Sequence, residues 1–405
     1  MAGKVWLKPE NPVFSYEGRI DFENVNAPVF VYPCSYARFH VKGKFLTALL
    51  SDRRSYFENS LGVLVDGEYR GKILLHDGKN LQGEAMKWFF LRLDPERDKE
   101  AMTQLKTMLA GECGEMAQEE VRAYDLSAFL DGEEHEVTIF KRMDACHYFT
   151  FYGLVAEDGA VTATDEKAEE SKSGTCPKKK ERRIEVYGDS ISCGEVSEAI
   201  ALCGQNDPDG HEGIYSNSFY SYSWILARML GARIHDVAQG GISLRDGEGY
   251  FDMPNTKGML SRFDKIQNNP SLGECKTWDF SRYVPQVVIL AIGQNDAHPE
   301  NYMAEDYDGE KAISWRKDYA GWIQKLRENY PRATIVLTTT ILGHDPAWDR
   351  AIGEVCESLG DEKVHHFLYS KNGSGTSGHV RRPEAEQMAR EMKAFLDGLG
   401  EAIWE

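Results

Sequence analysis

The stretch Ile-Glu-Val-Tyr-Gly-Asp-Ser-Ile, residues 184–191, decides the fold of this chain. Its first half, Ile184–Tyr187, predicts a short buried strand that ends where Gly188 begins a turn. A serine that directly follows such a strand has its hydroxyl exposed, and its backbone N–H points into the same space. Asp189 and Ser190 are also residue types that favour helix N-caps, so this stretch alone indicates either a reactive serine or a helix cap.

Strands and helices alternate from residue 184 to residue 405. The predicted strands are Ile184–Tyr187, Arg233–Val237, Val287–Ile292, Thr334–Thr339 and Val364–Tyr369, and the predicted helices are Ser218–Leu230, Trp315–Asn329 and Pro383–Leu396. This order predicts an α/β fold, with a parallel sheet and helices on both of its faces. Such sheets bind ligands at the carboxyl ends of their strands, which is where Ser190 stands.

The first part of the chain, residues 1–156, predicts a separate all-β domain. Its short β-rich runs are Val29–Tyr32, Ala37–Val41, Leu61–Val65, Lys72–Leu75, Glu136–Phe140 and Tyr148–Tyr152. Asp66-Gly67 and Asp77-Gly78 are hairpin signals, and many short strands divided by turns are typical of a sandwich or jelly roll. Residues 157–183 are rich in charged and small residues without an apolar period, which predicts a linker or loop.

Charge and composition limit the classes of partner. The chain has 405 residues, more than one ordinary core holds, and a formal net charge of −18 from 65 acidic and 47 basic side chains. A surface this negative repels phosphate backbones and anionic lipid, which argues against nucleic-acid and membrane partners and fits a neutral substrate. No signal-peptide pattern occurs and no apolar run reaches about 18 residues, so we expect a cytoplasmic protein.

The cysteines give no sign of a metal or disulfide framework. All eight are scattered, without a Cys-x-x-Cys pair, and predict free thiols. We expect neither a metal nor a cofactor. The sequence leaves the oligomeric state open, a homo-oligomer included.

Three later segments supply the groups that a reactive serine requires. A glycine pair, Gly240-Gly241, follows the second strand of the α/β region, and glycine leaves its backbone N–H unobstructed. Asn295 follows the third strand, and His379 lies between the last strand and the last helix. These residues predict acyl transfer, with Ser190 as nucleophile and His379 as base. The predicted oxyanion donors are the N–H of Ser190, the N–H of Gly241 (Gly240 if the register shifts) and the Asn295 amide.

The order of these segments resembles a known family. Gly188-Asp189-Ser190, the glycine pair, Gly293-Gln-Asn-Asp296 and His379 stand in the order of the four sequence blocks of the SGNH (GDSL-like) hydrolases, over Ile184 to Leu396. In the first domain, Gly18-Arg19, the run from Pro28 to Ser35 and Val65-Asp66-Gly67 resemble the jelly-roll domain that precedes the SGNH domain in carbohydrate acetyl esterases of carbohydrate esterase family 2. The resemblance implies an SGNH-type, flavodoxin-like sheet and a serine esterase that acts on acetylated carbohydrate.

One position departs from this family pattern. The family has an aspartate three residues before the catalytic histidine, and here Thr376 stands at that position. The resemblance to family 2 then implies a Ser–His dyad, in which a backbone carbonyl orients His379. An insertion from Glu195 to Ser216 follows the nucleophile and contains Asp207-Pro-Asp-Gly210. It forms either a wall of the pocket or a surface loop.

The sequence leaves alternatives to an O-acetyl esterase. A lipase or thioesterase of the SGNH type uses the same chemistry, and a catalytically inactive carbohydrate-binding protein is suggested by Thr376. Substrate-binding residues are not assigned, although Tyr215, Tyr250 and Phe251 are candidates for lining the pocket. The glycine-rich run from Gly373 to Gly378 does not predict a dinucleotide site, because only 27 residues follow it.

Overall fold

The computed structural model describes residues 3–77, 79–80, 92–109, 120–164, 181–251 and 255–405. The chain divides into two compact units. The N-terminal unit consists of Met1–Val31, Ser35–Lys141 and His147–Pro177, and the C-terminal unit consists of Tyr32–Cys34, Arg142–Cys146 and Lys178–Glu405. Two short segments of the β-rich region thus belong to the C-terminal unit. Within the predicted linker, residues 165–180 lie outside the described residues, as does Gly78 of the second hairpin signal.

The N-terminal unit is a sandwich of two antiparallel sheets, as predicted. Its elements are β1 (Lys4–Leu7), β2 (Ser15–Glu17), β3 (Ile20–Asp21), β4 (Val29–Phe30), β5 (Tyr36–Lys42), β6 (Leu46–Arg53), β7 (Ser60–Val65), β8 (Glu68–Leu74), β9 (Lys79–Asn80), α1 (Lys99–Leu109), β10 (Arg122–Asp125), β11 (Glu134–Lys141), β12 (Tyr148–Glu157) and β13 (Val161–Thr162). Among the described strands, one sheet has the order β3-β4-β12-β6-β10-β9 and the other has the order β13-β5-β11-β7-β8. Strand β1 also pairs with β12, and β2 also pairs with β5.

The alternation of side chains explains this sandwich. Ala37, Phe39 and Val41 of β5 are buried while the residues between them are not, which is the period of a strand with one face on the core. The core joins residues of both sheets, among them Phe39 and Phe151. Asp66-Gly67 forms the predicted hairpin between β7 and β8, since both residues have positive φ (53° and 77°), as a type I′ turn requires.

The C-terminal unit contains the predicted parallel sheet. Its elements are β14 (Arg182–Gly188), α2 (Ser190–Cys193), α3 (Tyr222–Leu230), β15 (Ala232–Ala238), α4 (Met259–Arg262), β16 (Val287–Ala291), α5 (Tyr302–Glu305), α6 (Glu310–Asn329), β17 (Thr334–Thr338), α7 (Pro346–Leu359), β18 (Val364–His366) and α8 (Arg382–Leu399). The strand order is β15-β14-β16-β17-β18, every pairing is parallel, and β16 is buried along its whole length. The order is that of a doubly wound, flavodoxin-like sheet.

Several element ends differ from the prediction. The predicted helix over Ser218–Leu230 is a short 3₁₀ turn followed by α3, because the Ser221 side chain accepts a hydrogen bond from the Trp224 N–H and caps a new helix there. Strand β18 ends at His366, where its pairing with β17 stops. Helix α7 has no counterpart among the predicted helices. Of the described helices, none is both long and apolar enough to cross a membrane.

Candidate active site

Ser190 is the first residue of α2, at the carboxyl end of β14, the strand that lies between β15 and β16. The helix cap is Asp189, whose side chain accepts a hydrogen bond from the Ile191 N–H at 3.0 Å. The sequence predicted either a helix cap or a reactive serine in this turn. Asp189 is the helix cap, so the Ser190 hydroxyl is not needed for capping. Ser190 is 3% exposed, and its Oγ makes no hydrogen bond to any residue that the structure describes.

Gly188 allows the turn to be this tight. A Cβ on residue 188 would lie 2.0 Å from Ser192 Oγ, so only glycine fits. The pairing of β14 with β15 extends past the ends of both strands, because the Gln239 N–H donates to the Gly188 carbonyl at 3.3 Å. The glycine pair after β15 thus lies beside the nucleophile turn.

The structure distinguishes between the two glycines of that pair. The Gly240 N–H donates to the Asp144 carboxylate at 2.8 Å. The Gly241 N–H has no partner among the described residues, and Gly241 has a φ of 69° that favours glycine. Of the pair, Gly241 is therefore the glycine whose N–H remains open to a further acceptor, and its role as an oxyanion donor stays a prediction. Asp144 lies in the segment Arg142–Cys146, between two strands of the β-rich region, and its contact with this loop was not predicted from the sequence.

Asn295 lies where it was predicted, but its amide already has partners. Its Nδ2 donates to the Asp189 carboxylate and to the Ile242 carbonyl, both at 2.9 Å. An amide nitrogen carries two hydrogens, so both are engaged here. Asn295 joins the turns after β14 and β15, and it serves an oxyanion only by releasing one of these bonds.

Asp189 is the centre of this buried network. Its carboxylate also accepts a hydrogen bond from Gln294, whose own oxygen accepts from Thr340 Oγ1 at 2.5 Å. Burial raises the pKa of Asp189 to about 6, against the hydrogen bonds from Gln294 and the Ile191 N–H that favour its charged form. Gln294, for which no role was predicted, thus holds the residue that precedes Ser190.

His379 is oriented by a carboxylate from the insertion. Its Nδ1 lies 2.6 Å from Asp207 Oδ2, and its backbone N–H donates to Asp207 Oδ1 at 2.9 Å. The expectation that a backbone carbonyl orients His379 is therefore wrong. The insertion was noted for its Asp207-Pro-Asp-Gly210 turn, but local pattern does not show that this turn folds back onto a loop 172 residues further along the chain.

Arg381 and Gly378 hold the insertion on the histidine loop. The Arg381 guanidinium is fully buried and lies 3.0 Å from Asp207 Oδ1, and it also donates to the Asn206 carbonyl at 3.1 Å. A Cβ on Gly378 would lie 2.6 Å from the Gln205 carbonyl oxygen and 2.8 Å from the Asp207 nitrogen. The close approach of the two loops therefore depends on the missing side chain at Gly378.

The charges of this cluster are strongly coupled. Burial alone would raise the pKa of Asp207, but the hydrogen bonds and charge of His379 and the Arg381 side chain outweigh it and hold that pKa well below its usual range. Burial would lower the pKa of His379, but the carboxylates of Glu195 and Asp207 outweigh it and raise that pKa to about 9. Both ends of the imidazole thus face acidic groups.

Glu195 connects the histidine with the nucleophile turn. Its backbone N–H donates to the Ser190 carbonyl at 3.0 Å, and its Oε2 lies 3.7 Å from His379 Nε2. Nε2 is the imidazole nitrogen opposite the one that Asp207 binds. Glu195 therefore contacts both the turn that carries the predicted nucleophile and the predicted base, while Ser190 Oγ and His379 Nε2 are not hydrogen-bonded to each other. Sequence patterns did not single out this residue. The roles of Ser190, His379, Gly241 and Asn295 stay predictions.

Comparison with known proteins adds independent information. Residues 16–89 match the family described as Carbohydrate esterase 2 N-terminal. The acetylxylan esterase / glucomannan deacetylase of Cellvibrio japonicus is 29% identical over 277 residues, which cover 67% of this chain and 69% of that protein. The cellulase/esterase CelE of Acetivibrio thermocellus is 31% identical over 377 residues, which cover 91% of this chain and 37% of that protein.

A solved structure has the same fold. It is a family two carbohydrate esterase from Clostridium thermocellum in complex with cellohexaose, and it superimposes with a TM-score of 0.65 over 97% of this chain and 100% of its own. Its sequence is 23% identical to this one, so the likeness concerns the fold.

Proposed function

Because the chain belongs to carbohydrate esterase family 2, we propose that it is a serine esterase that removes O-acetyl groups from acetylated carbohydrate through an acyl-enzyme. The observation that carries this proposal is the 2.6 Å contact between His379 Nδ1 and Asp207. It supplies the third member that Thr376 leaves missing from its usual place, and it favours an active esterase over a binding protein without activity.

The proposed reaction follows from the roles of the groups. Ser190 Oγ attacks the acetyl carbonyl while His379 Nε2 takes its proton, and Asp207 keeps the other imidazole nitrogen protonated. The free N–H groups of Ser190 and Gly241 stabilise the oxyanion of the tetrahedral intermediate. His379 then returns the proton to the leaving sugar hydroxyl. In the second half, His379 takes a proton from a water molecule whose oxygen attacks the carbonyl of acetyl-Ser190. The bond to Ser190 Oγ then breaks, His379 returns the proton to Oγ, and acetate leaves.

An exposed aromatic ring beside Gly241 supports carbohydrate as the substrate. Tyr250 is 61% exposed, and its N–H donates to the Gly241 carbonyl at 2.9 Å. Its ring is stacked on His298, with the ring centroids 4.3 Å apart and the planes at 17°. A rigid aromatic face with a polar hydroxyl matches the apolar face and polar rim of a sugar ring.

Acetate release tests the proposal. Wild type, Ser190→Ala and Ser271→Ala are compared on acetylated xylo- and gluco-oligosaccharides and on 4-nitrophenyl acetate; Ser271 is an exposed serine outside the site. We expect Ser190→Ala to lose roughly 10⁶-fold in kcat and Ser271→Ala to match wild type. An inactive wild type contradicts the esterase proposal, and full activity in Ser190→Ala contradicts the nucleophile. Faster hydrolysis of 4-nitrophenyl octanoate than of the acetate would favour the lipase alternative.

A further inference from the structure

Asp144 joins the glycine pair to a segment that lies 96 residues earlier in the chain. Its Oδ2 accepts a hydrogen bond from the Gly240 N–H at 2.8 Å, and its Oδ1 accepts one from the Cys146 N–H at 3.2 Å. The Asp144 side chain is buried. A hydrogen bond from a backbone N–H to a carboxylate is charge-assisted and stronger than one between neutral groups. Asp144 is therefore a strong anchor for the backbone of Gly240.

The segment Arg142–Cys146 gives this carboxylate a fixed position. The Ala145 N–H donates to the carbonyl of Ala238, the last residue of β15, at 3.2 Å. The Cys146 carbonyl accepts a hydrogen bond from Asn269 Nδ2, also at 3.2 Å. The segment is thus bound both to the strand that leads into the glycine pair and to a second loop. Asp144 is therefore held relative to the carboxyl end of β15.

The peptide that carries the Gly241 N–H lies between two anchored peptides. The peptide before it is held by the bond from the Gly240 N–H to Asp144, and the peptide after it by the bond from the Tyr250 N–H to the Gly241 carbonyl, at 2.9 Å. The peptide between them has a glycine on each side, and glycine allows φ of either sign. Without its anchors, such a peptide can rotate so that its N–H points to the opposite side. The two neighbouring bonds select one orientation.

We propose that Asp144 is a positioning residue, which holds the Gly240-Gly241 peptide in the orientation that directs the Gly241 N–H at the oxyanion. Asp144 acts on the reaction through this donor rather than by contact with the substrate. The inference rests on the proposed esterase function. An oxyanion hole is effective because its donors point at the place where charge develops before the reaction begins. Loss of Asp144 therefore weakens the stabilisation of the tetrahedral intermediate.

The two oxygens of Asp144 predict a graded effect of substitution. Each oxygen accepts from one backbone N–H, that of Gly240 or that of Cys146. Asparagine has one oxygen and one NH₂ group, so it can accept from only one of these two N–H groups. Alanine accepts from neither. We therefore expect Asp144→Ala to have the larger effect and Asp144→Asn a smaller effect of the same kind.

The test compares 4-nitrophenyl acetate with its thiono analogue, in which sulfur replaces the carbonyl oxygen. Sulfur is a weak hydrogen-bond acceptor, so hydrolysis of the thiono ester depends less on the oxyanion donors. The proteins are wild type, Asp144→Ala, Asp144→Asn and the control Asp345→Ala. Asp345 is another aspartate of the C-terminal unit whose carboxylate accepts from a backbone N–H, that of Ala347 in the first turn of α7. Its loss removes a helix cap and leaves the glycine pair unchanged.

The ratio of the two rates distinguishes positioning from stability. A complete oxyanion donor is worth roughly 100–1,000-fold in rate, so we expect Asp144→Ala to lose about thirty- to hundredfold in kcat/KM on the oxygen ester and less than about threefold on the thiono ester. Asp144→Asn should lose about tenfold on the oxygen ester and again less on the thiono ester. A variant that is only less stable has less folded enzyme for both esters. Asp345→Ala should therefore keep the wild-type ratio even if its unfolding temperature is lower.

Each contrary outcome has a distinct meaning. If Asp144→Ala loses the same factor on both esters, Asp144 acts on the fold or on the base and the inference is wrong. The inference is also wrong if Asp144→Ala hydrolyses the oxygen ester at the wild-type rate. If Asp144→Ala does not fold, the ratio measured for Asp144→Asn decides between the same outcomes. A wild type without activity on 4-nitrophenyl acetate refutes the esterase proposal instead.

Discussion

Replacing Asp207 with asparagine changes one atom of the cluster around His379. The carboxylate accepts from the Nδ1 and the backbone N–H of His379, at 2.6 and 2.9 Å, and Arg381 lies 3.0 Å from it. Asparagine keeps the shape, and its oxygen still accepts from the backbone N–H and from Arg381. Its Nδ2 then faces Nδ1 and donates to it, which places the imidazole proton on Nε2. His379 in that tautomer cannot accept the proton of Ser190.

The expected loss follows from this wrong tautomer. An aspartate that holds the base in this way is worth about 10⁴-fold in kcat, and we expect Asp207→Asn to lose between 10³- and 10⁴-fold. The assay is the kcat for 4-nitrophenyl acetate at several pH values. Asp209→Asn is the matched control, since Asp209 is an exposed aspartate two residues further along the same turn, and it should keep the wild-type kcat.

The reasoning is refuted if Asp207→Asn keeps kcat within about tenfold of wild type while its unfolding temperature is unchanged. That result would mean that a backbone carbonyl can orient His379 and that the catalytic unit is a dyad. If Asp207→Asn both lowers the unfolding temperature and loses most of its activity, the orientation of His379 by Asp207 is not separated from a contribution of Asp207 to the stability of the fold. Arg381 makes that case testable, because Arg381→Lys weakens the anchor of the insertion while it leaves the Asp207 carboxylate in place.

Three further predictions concern the same site. Gly378→Ala should lower kcat/KM by about ten- to hundredfold, because its Cβ would lie 2.8 Å from a backbone nitrogen of the insertion; Gly398→Ala, where a Cβ meets nothing within 4 Å, is the control. The base must be neutral to accept a proton, and the pKa of His379 is raised to about 9. We therefore expect kcat/KM to increase with pH along a titration curve whose midpoint is near 9. A midpoint near 6.5 would contradict the coupling of this histidine to its carboxylates. The charged histidine also stabilises the fold below about pH 6.5, a contribution lost as the pH rises through about 9, which thermal unfolding at several pH values measures. Tyr250→Ala should raise KM for oligosaccharide about ten-fold and leave 4-nitrophenyl acetate unaffected, whereas Tyr250→Phe should keep most of the stacking.

The parts of the fold that could be predicted are those that local pattern determines. Alternation of apolar residues located β5 within one residue at each end, and positive-φ residue types located the turn at Asp66-Gly67. Helix α7 was missed although its ends carry helix signals, with Asp345 as the cap and Pro346 in the first turn. The same Asp-Pro pattern is frequent in loops, so it predicts a helix only when apolar residues at helical spacing follow it.

The parts of the site that could not be predicted depend on contacts between distant residues. Asp144 fixes Gly240 across 96 residues, and Asp207 binds His379 across 172. No periodicity or cap relates such pairs, because each carboxylate lies in an irregular segment whose path is set by tertiary packing. The proximity of the groups that follow parallel strands could be predicted from the sequence, since the sheet topology places the carboxyl ends of these strands at one edge.

The contact between Asp207 and His379 gives a physical reason for the residues at three other positions. An aspartate on the histidine's own loop needs no anchor, whereas one from an insertion must be held there. Arg381 provides that anchor, and its fully buried guanidinium would in turn be an uncompensated charge without Asp207. Gly378 provides the space for the two loops to meet. We therefore expect Asp207, held by Arg381, to orient His379 in place of a carboxylate at position 376.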